Sequence, residues 1–216
     1  MDLLFLILGS SFSYLLGSIP SSVWIGKTFY GIDVREHGSG NAGATNTLRV
    51  LGKTAGISVL IIDFLKGFAA AYLVYFQSNM IPNTAEFREI QMLFGSFAVL
   101  GHVYPVFARF RGGKGIATLL GVIVAISWQV SILCILTFIL VVWLSKYISL
   151  GSMIASAISP IFVYFIYGSN EQFFIYFCIG VALMVLYTHR TNIERLKNGS
   201  ETKFTFNKKP EISNIK

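Results

Sequence analysis

Residues 116–144 read IATLLGVIVAISWQVSILCILTFILVVWL, and the way this run divides decides the fold. It is longer than the about 20 apolar residues that one membrane-crossing helix needs. Ser127, Trp128, Gln129 and Ser131 interrupt it near the middle. A Trp beside polar side chains suits the membrane–water interface, where its amphipathic ring sits between headgroups and hydrocarbon. The run is therefore either one long tilted helix or two shorter helices joined at residues 127–129.

Charge placement chooses between these. Other apolar runs lie near 3–24, 55–76, 90–107, 148–167 and 172–187. Lys27, Arg35, Arg49 and Lys53 follow the first run, Arg109, Arg111 and Lys114 follow the third, and the chain is basic from Arg190 onward. The 79–89 loop carries Arg88 alone against Glu86 and Glu89, and the 168–171 turn carries no cation. Dividing 116–144 puts every basic segment on one side of the membrane. Leaving it whole puts the basic tail outside, against the positive-inside trend. The expectation is an all-α integral membrane protein of seven transmembrane helices, with its N-terminus outside and its C-terminus cytoplasmic. Residues 1–200 are expected to form a single helical bundle domain with three cytoplasmic motif loops, and 201–216 a basic cytoplasmic tail.

Composition agrees with a bilayer setting. Charged residues make up 12% of the chain, hydrophobic ones 54%, and the mean hydropathy is +0.67; soluble domains carry about 25% charged residues. The 216 residues suffice for one helical bundle and little else. The formal charge of +7 has no soluble basic domain to carry it, so it belongs to cytoplasmic loops, and nucleic acid is not an expected partner. Cys134 and Cys178 sit in apolar runs and read as small buried hydrophobes, without disulfide or metal spacing. The opening Met1-Asp2-Leu3 lacks a basic region and no small-residue cleavage site follows, so the first run reads as a retained span. Asp63 and Lys66, three apart in the second run, share a helix face. A mutually neutralising pair facing the interior is the simpler reading, and proton or ion movement the alternative.

Three polar segments then meet on one face. The first runs from His37 to Arg49 and contains Ser39, Asn41, Thr45, Asn46 and three glycines. Gly38, Gly40 and Gly43 let main-chain N–H groups approach a ligand, and Arg49 adds a fixed cationic fork, which together suit a phosphate. The second is Gly101-His102-Val103-Tyr104-Pro105 with Arg111-Gly112-Gly113-Lys114-Gly115. There the glycines are expected to expose N–H groups, Lys114 to supply a point charge, and a helix starting near Ile116 to aim its positive end at the ligand. This is not a Walker A loop, because no Gly precedes Gly113-Lys114 by five residues and Gly115 stands in the Ser/Thr place. The first segment formally satisfies G-x-G-x-x-G, but without a preceding strand the dinucleotide reading is discarded. The third segment is residues 188–195, with His189, Arg190 and Asn192, and Lys146, Ser149 and Ser152 add a smaller polar cluster.

His189, beside Asn192 at the membrane edge, is the best catalytic histidine. His102, near a helix end, reads equally as a hydrogen-bonded packing residue, and His37 has no clear partner. No HExxH, Cys-His or Ser-His-Asp signature is present. The His-x4-Asp motif of acyltransferases with soluble donors is not matched, since Glu194 follows His189 at that spacing. A transporter would place helix-breaking polar residues near the midplane of repeated halves, which are not evident. A CDP-alcohol phosphotransferase would need an aspartate cluster for metal, and only Asp2, Asp33 and Asp63 exist.

Taken together, the segments resemble the bacterial acyl-phosphate:glycerol-3-phosphate acyltransferase family. Its pattern Gly-Ser-Gly-Asn-x-Gly-x-Thr-Asn-x-x-Arg is matched throughout residues 38–49. Its Gly-His-x-x-Pro and Phe-Lys-Gly-Gly-Lys-Gly-x-Ala-Thr elements are matched at 101–105 and 110–118, with Arg111 in place of the usual Lys. Its third element, His-Arg-x-Asn-Ile-x-Arg-Leu-x-x-Gly-x-Glu, runs from His189 to Glu201. The resemblance implies transfer of a fatty acyl group from acyl phosphate to the 1-hydroxyl of sn-glycerol 3-phosphate, giving lysophosphatidic acid and phosphate, without cofactor or metal. It implies a multi-pass protein of the bacterial cytoplasmic membrane, with its active site at the cytoplasmic face. A functional link to the enzyme that makes acyl phosphate is also implied. Ser39, Asn41, Arg49, Lys114, Ser152, His189 and Asn192 stand at family positions associated with the substrate phosphates or the reacting hydroxyl, and Glu201 at one associated with structural integrity. Gly112, Gly113 and Gly115 accompany Lys114 on the phosphate side. Of these, Ser39, His189 and Asn192 are assigned to catalysis. Either His189 or a substrate phosphate oxygen takes the hydroxyl proton.

Overall fold

The computed structural model describes residues 3–205 and 210–214, and every regular element among them is helical. In chain order the α-helices are α1 (Leu3–Gly17), α2 (Ser21–Tyr30), α3 (Ala44–Leu51), α4 (Lys53–Tyr72), α5 (Ala85–Val103), α6 (Ile116–Ile126), α7 (Trp128–Ser145), α8 (Ile148–Tyr167), α9 (Gln172–Thr188) and α10 (Arg190–Lys197).

The run 116–144 is divided. Ser127 alone separates α6 from α7; it is extended, and its Oγ accepts the Val130 N–H at 3.2 Å, capping the new helix. Ser131 donates back to the Ser127 carbonyl at 2.8 Å. The polar residues that interrupt the hydrophobic pattern are thus the start signal of α7. The 11 residues of α6 make a rod of roughly 16 Å, about half the hydrocarbon thickness of a bilayer. Five stretches are long and apolar enough to cross: Leu3–Tyr30, Lys53–Phe76, Ala85–Ala108, Trp128–Ser145 and Ile148–Tyr167. The pair α9 and α10, bent by 61° at His189, makes a sixth. The protein is therefore a multi-pass membrane protein.

The first run is less uniform than its hydropathy suggests. It breaks at residues 18–20, where Pro20 has no N–H to donate and restricts the residue before it.

The described residues form two compact units, and the break at Ser127 is also their boundary. The first comprises α1 to α6 and residues 210–214. Its helices meet through small residues: a Cβ on Gly17 of α1 would overlap the Ala98 carbonyl of α5, and one on Gly67 of α4 would overlap the Thr118 carbonyl of α6. Hydrocarbon gives no hydrophobic drive between helices, so such close main-chain approach is what holds them together. Ile212 packs on a buried cluster of Val34, Val50, Leu51 and Ala55 that backs α3.

The second unit comprises α7 to α10 and the chain to residue 205. Gly151 of α8 lies against Phe138 and Val142 of α7, and Phe174, Cys178 and Val185 of α9 are buried. The Phe204 N–H donates to the Lys146 carbonyl at 2.7 Å, tying the residues after α10 to the α7–α8 turn.

Candidate active site

In the first unit, the segment from His37 turns twice before entering α3. Gly38 and Gly40 are left-handed, with φ of +61° and +73°, which side-chain-bearing residues resist. The Gly40 N–H donates to the His37 carbonyl at 3.0 Å. Asn46, in the first turn of α3 and only 2% exposed, folds back beneath this loop. Its Nδ2 donates to the Val34 carbonyl at 2.8 Å and the His37 carbonyl at 3.1 Å, and its Oδ1 accepts the Ser39 N–H at 2.8 Å. One carboxamide thus pins the main chain at three points. A Cβ on Gly38 would overlap Asn46 Oδ1, so glycine is required there for space as well as for conformation. The side chains of Ser39, Asn41 and Arg49 are half-buried around this loop.

The second segment closes against the end of α5. The expectation that Gly112 and Gly113 present N–H groups to a ligand is not met. Gly112 donates to the Val103 carbonyl at 3.2 Å and Gly113 to the His102 carbonyl at 3.1 Å. These glycines are there for closeness: a Cβ on Gly112 would overlap the His102 carbonyl, and one on Gly113 would overlap the His102 ring and lie 2.6 Å from the Ala42 carbonyl. Gly113 is accordingly where the first and second segments touch. Half-buried Lys114 follows, then Gly115 at φ +81°, then the first turn of α6.

Beneath these loops lies a buried polar cluster. Asp63 and Lys66 form an ion pair at 2.8 Å, with side chains 1% and 4% exposed, as the simpler reading had it. Lys66 Nζ also donates to the Ile19 carbonyl at 2.9 Å, supplying a partner at the break between α1 and α2. Ser21 Oγ donates to Asp63 Oδ1 at 2.7 Å, His102 Nδ1 lies 3.5 Å from the same oxygen, and Thr118 Oγ1 lies 3.2 Å from His102 Nδ1. A small cavity is lined by Ser21, Asp63, Lys66 and His102 together with Ala42 and Gly113 of the loops. Sequence reasoning found Asp63 and Lys66 because charge inside a span is conspicuous. Ser21 and Thr118 gave no such signal, since hydroxyls are ordinary in membrane helices.

In the second unit, His189 sits at the α9–α10 bend and is 2% exposed. Its Nδ1 is 2.8 Å from the Val185 carbonyl. A carbonyl only accepts, so Nδ1 is the donor of this pair. Asn192, one turn on, donates from Nδ2 to Glu201 Oε1 at 2.7 Å, and Ser149 Oγ donates to the same oxygen at 2.6 Å. Ser152 lies one turn beyond Ser149 on α8, its Oγ donating to the Ile148 carbonyl at 3.1 Å. The first unit therefore carries Ser39, Asn41 and Arg49 on the first segment and Gly112, Gly113, Lys114 and Gly115 on the second, the two meeting at Ala42 and Gly113. The second unit gathers Asn192, Ser149 and Glu201, with Ser152 on the next turn of α8 and His189 at the start of α10.

Comparison with known proteins bears on both units. The family model described as glycerol-3-phosphate acyltransferase matches residues 6–199. The glycerol-3-phosphate acyltransferase of Fusobacterium nucleatum is 42% identical over 194 residues, covering 90% of this chain and 95% of its own. That of Listeria monocytogenes is 43% identical over 198 residues, covering 92% of this chain and 96% of its own. Among solved structures, the glycerol 3-phosphate form of PlsY, an integral membrane glycerol 3-phosphate acyltransferase, is similar with a TM-score of 0.82 and 36% identity, covering 93% of this chain and 96% of that one. The lysophosphatidic acid form of PlsY is similar with a TM-score of 0.78 and 35% identity over the same shares. By model, sequence and structure alike, this chain belongs to the glycerol-3-phosphate acyltransferase family.

Proposed function

We propose that the protein transfers a fatty acyl group from acyl phosphate to the 1-hydroxyl of sn-glycerol 3-phosphate, releasing 1-acyl-sn-glycerol 3-phosphate and inorganic phosphate. The observation that carries this reading is the likeness, over 93% of the chain, to PlsY in its glycerol 3-phosphate form. The acyl carbon–oxygen bond of the anhydride breaks, the ester bond to the glycerol oxygen forms, and the hydroxyl proton leaves with the phosphate. An acyl phosphate already has a good leaving group, so the work is to hold two phosphate-bearing molecules in register.

Arg49 and Lys114 bind substrate phosphate, and Ser39, Asn41 and Ser152 supply hydrogen bonds. Gly112, Gly113 and Gly115 shape the loop that carries Lys114. His189 and Asn192 orient the glycerol hydroxyl, an assignment supported by the way both side chains are held, His189 Nδ1 against the Val185 carbonyl and Asn192 Nδ2 on Glu201. The polar segments face the cytoplasm of a bacterial inner membrane, with α6 as a seventh, shorter span and the N-terminus outside. This orientation is supported by the basic residues, which crowd the segments after the first and third runs and the tail.

The test is an assay of the purified protein with acyl phosphate, with and without glycerol 3-phosphate, following phosphate release. Release that depends on glycerol 3-phosphate supports acyl transfer; no release in either case overturns it. Comparing His189→Gln with His189→Ala then assigns the proton. Near-full turnover with an unchanged pH profile in His189→Gln excludes His189 as general base and leaves a substrate phosphate oxygen.

A further inference from the structure

Between α2 and the first glycine loop, one side chain joins parts of the chain more than seventy residues apart. Asp33 Oδ1 accepts the Arg35 N–H at 3.0 Å, capping the short turn Val34–Glu36. The Arg35 guanidinium then grips the same carboxylate, Nε to Oδ1 at 3.0 Å and Nη2 to Oδ2 at 2.7 Å. Its Nη1 points the other way, donating to the Ala108 carbonyl at 3.0 Å and the Arg111 carbonyl at 3.3 Å. Those two carbonyls bracket Arg109 and Phe110, consecutive residues with left-handed φ of 55° and 57°. Non-glycine residues keep that conformation only where their surroundings impose it. The Phe110 N–H donates to the Pro105 carbonyl at 2.8 Å and the Arg111 N–H to the Ala108 carbonyl at 3.2 Å, closing the turn locally, and Arg35 adds a side-chain restraint from outside it. His37 lies two residues beyond Arg35, and Lys114 three residues beyond Arg111.

We infer that Arg35 is a positioning residue, a strap that sets the distance between the Ser39 loop and the turn carrying Lys114. This rests on the phosphate-binding reading above. The Arg35 charge is met by Asp33 at 2.7 Å, so its part is to span, not to bind an anion. Only a planar fork serves a carboxylate and two carbonyls at once; an ammonium group cannot.

Two substitutions and one measurement independent of turnover test this in the purified full-length protein. Arg35→Lys keeps the charge but loses the span, and kcat/KM is expected to fall on the order of a hundredfold, as far as in Arg35→Ala. Asp33→Asn removes a negative charge near the phosphate loops, yet it is expected to raise the KM for glycerol 3-phosphate. A simple charge effect predicts the reverse of both results: activity kept in Arg35→Lys and a lower KM in Asp33→Asn. Either of those outcomes overturns the strap. Amide exchange at residues 109–115 is expected to quicken in Arg35→Lys while α1 and α4 hold. Unchanged exchange there overturns the inference even if the wild type transfers no acyl group, a result that would sink only the functional reading.

Discussion

Asn46 and Glu201 are both polar hubs, but they hold different things. Asn46 grips main chain: two carbonyls and one N–H of the loop it lies under. Glu201 grips side chains, accepting from Ser149 and Asn192 on one oxygen. The first hub needs two donor hydrogens and an acceptor on one group, which a carboxamide supplies and a hydroxyl does not. The second needs an acceptor alone, and charge strengthens it. A loop built from glycines has few side chains to pack, so its shape must be imposed on the backbone from below. Helices already have their backbone fixed, and there a hub need only aim what they carry.

The sharpest way to break this contrast is to exchange the isosteres. Asn46→Asp cannot donate, and it sets a carboxylate against the Val34 and His37 carbonyls. Acyl transfer in the phosphate-release assay is expected to fall by two orders of magnitude or more, about what a misplaced loop costs. Asn46→Ala should match it while lowering the unfolding temperature in detergent, since each stranded buried group costs about 1–3 kcal/mol. At the other hub, Glu201→Ala should cost roughly tenfold in kcat through loss of charge-assisted bonds worth about 1.5–3 kcal/mol. Glu201→Gln, which keeps an oxygen, should cost distinctly less. Equal losses for Asn46→Asp and Glu201→Gln would erase the distinction between the hubs. Ser149→Ala is expected to be milder still, within a few-fold, in line with about 1 kcal/mol for one hydrogen bond.

The smallest expected effect is one of pH. Hydrogen bonds from Arg35 hold the Asp33 carboxyl well below the usual carboxylate range, although its partial burial pulls the other way. A depressed folded value means that the stabilisation is complete above the unfolded pKa of about 3.9 and is lost only as pH falls through the lower folded one. Exchange at residues 109–115, corrected for intrinsic rates, should therefore be flat from neutrality down to mildly acidic pH. A rise within that window would point to a different titrating group.

Much of this was readable from residue type and spacing. The capping Ser127 lay inside the run it divides, Asp63 and Lys66 stood out against apolar neighbours, and the three polar segments announced themselves by composition. What escaped was direction. Gly112 and Gly113 look like exposed donors in sequence, yet their N–H groups turn inward, because α5 ends with carbonyls that need partners. Arg35 looked like one more cytoplasmic cation, since nothing local reveals a contact to Ala108 and Arg111. Asn46 was one polar residue among several in its segment. Hydrophobic period reports which side of a helix is inside; it does not report what a long polar side chain reaches once the loops are folded. The extent of α6 did not escape, since the polar residues from Ser127 mark where it ends.

The contact of α4 with α6 has a further consequence. Gly67 lies against the Thr118 carbonyl and Gly121 against the Phe64 carbonyl, so the two rods touch on main chain at two places. Such a seam has no side-chain rotamers to freeze or melt, and it leaves no gap that an acyl tail is thin enough to enter. Its geometry should be indifferent to whether the surrounding tails are short or long, saturated or kinked. A seam of this kind keeps the spacing of α4 and α6 independent of the lipid around them.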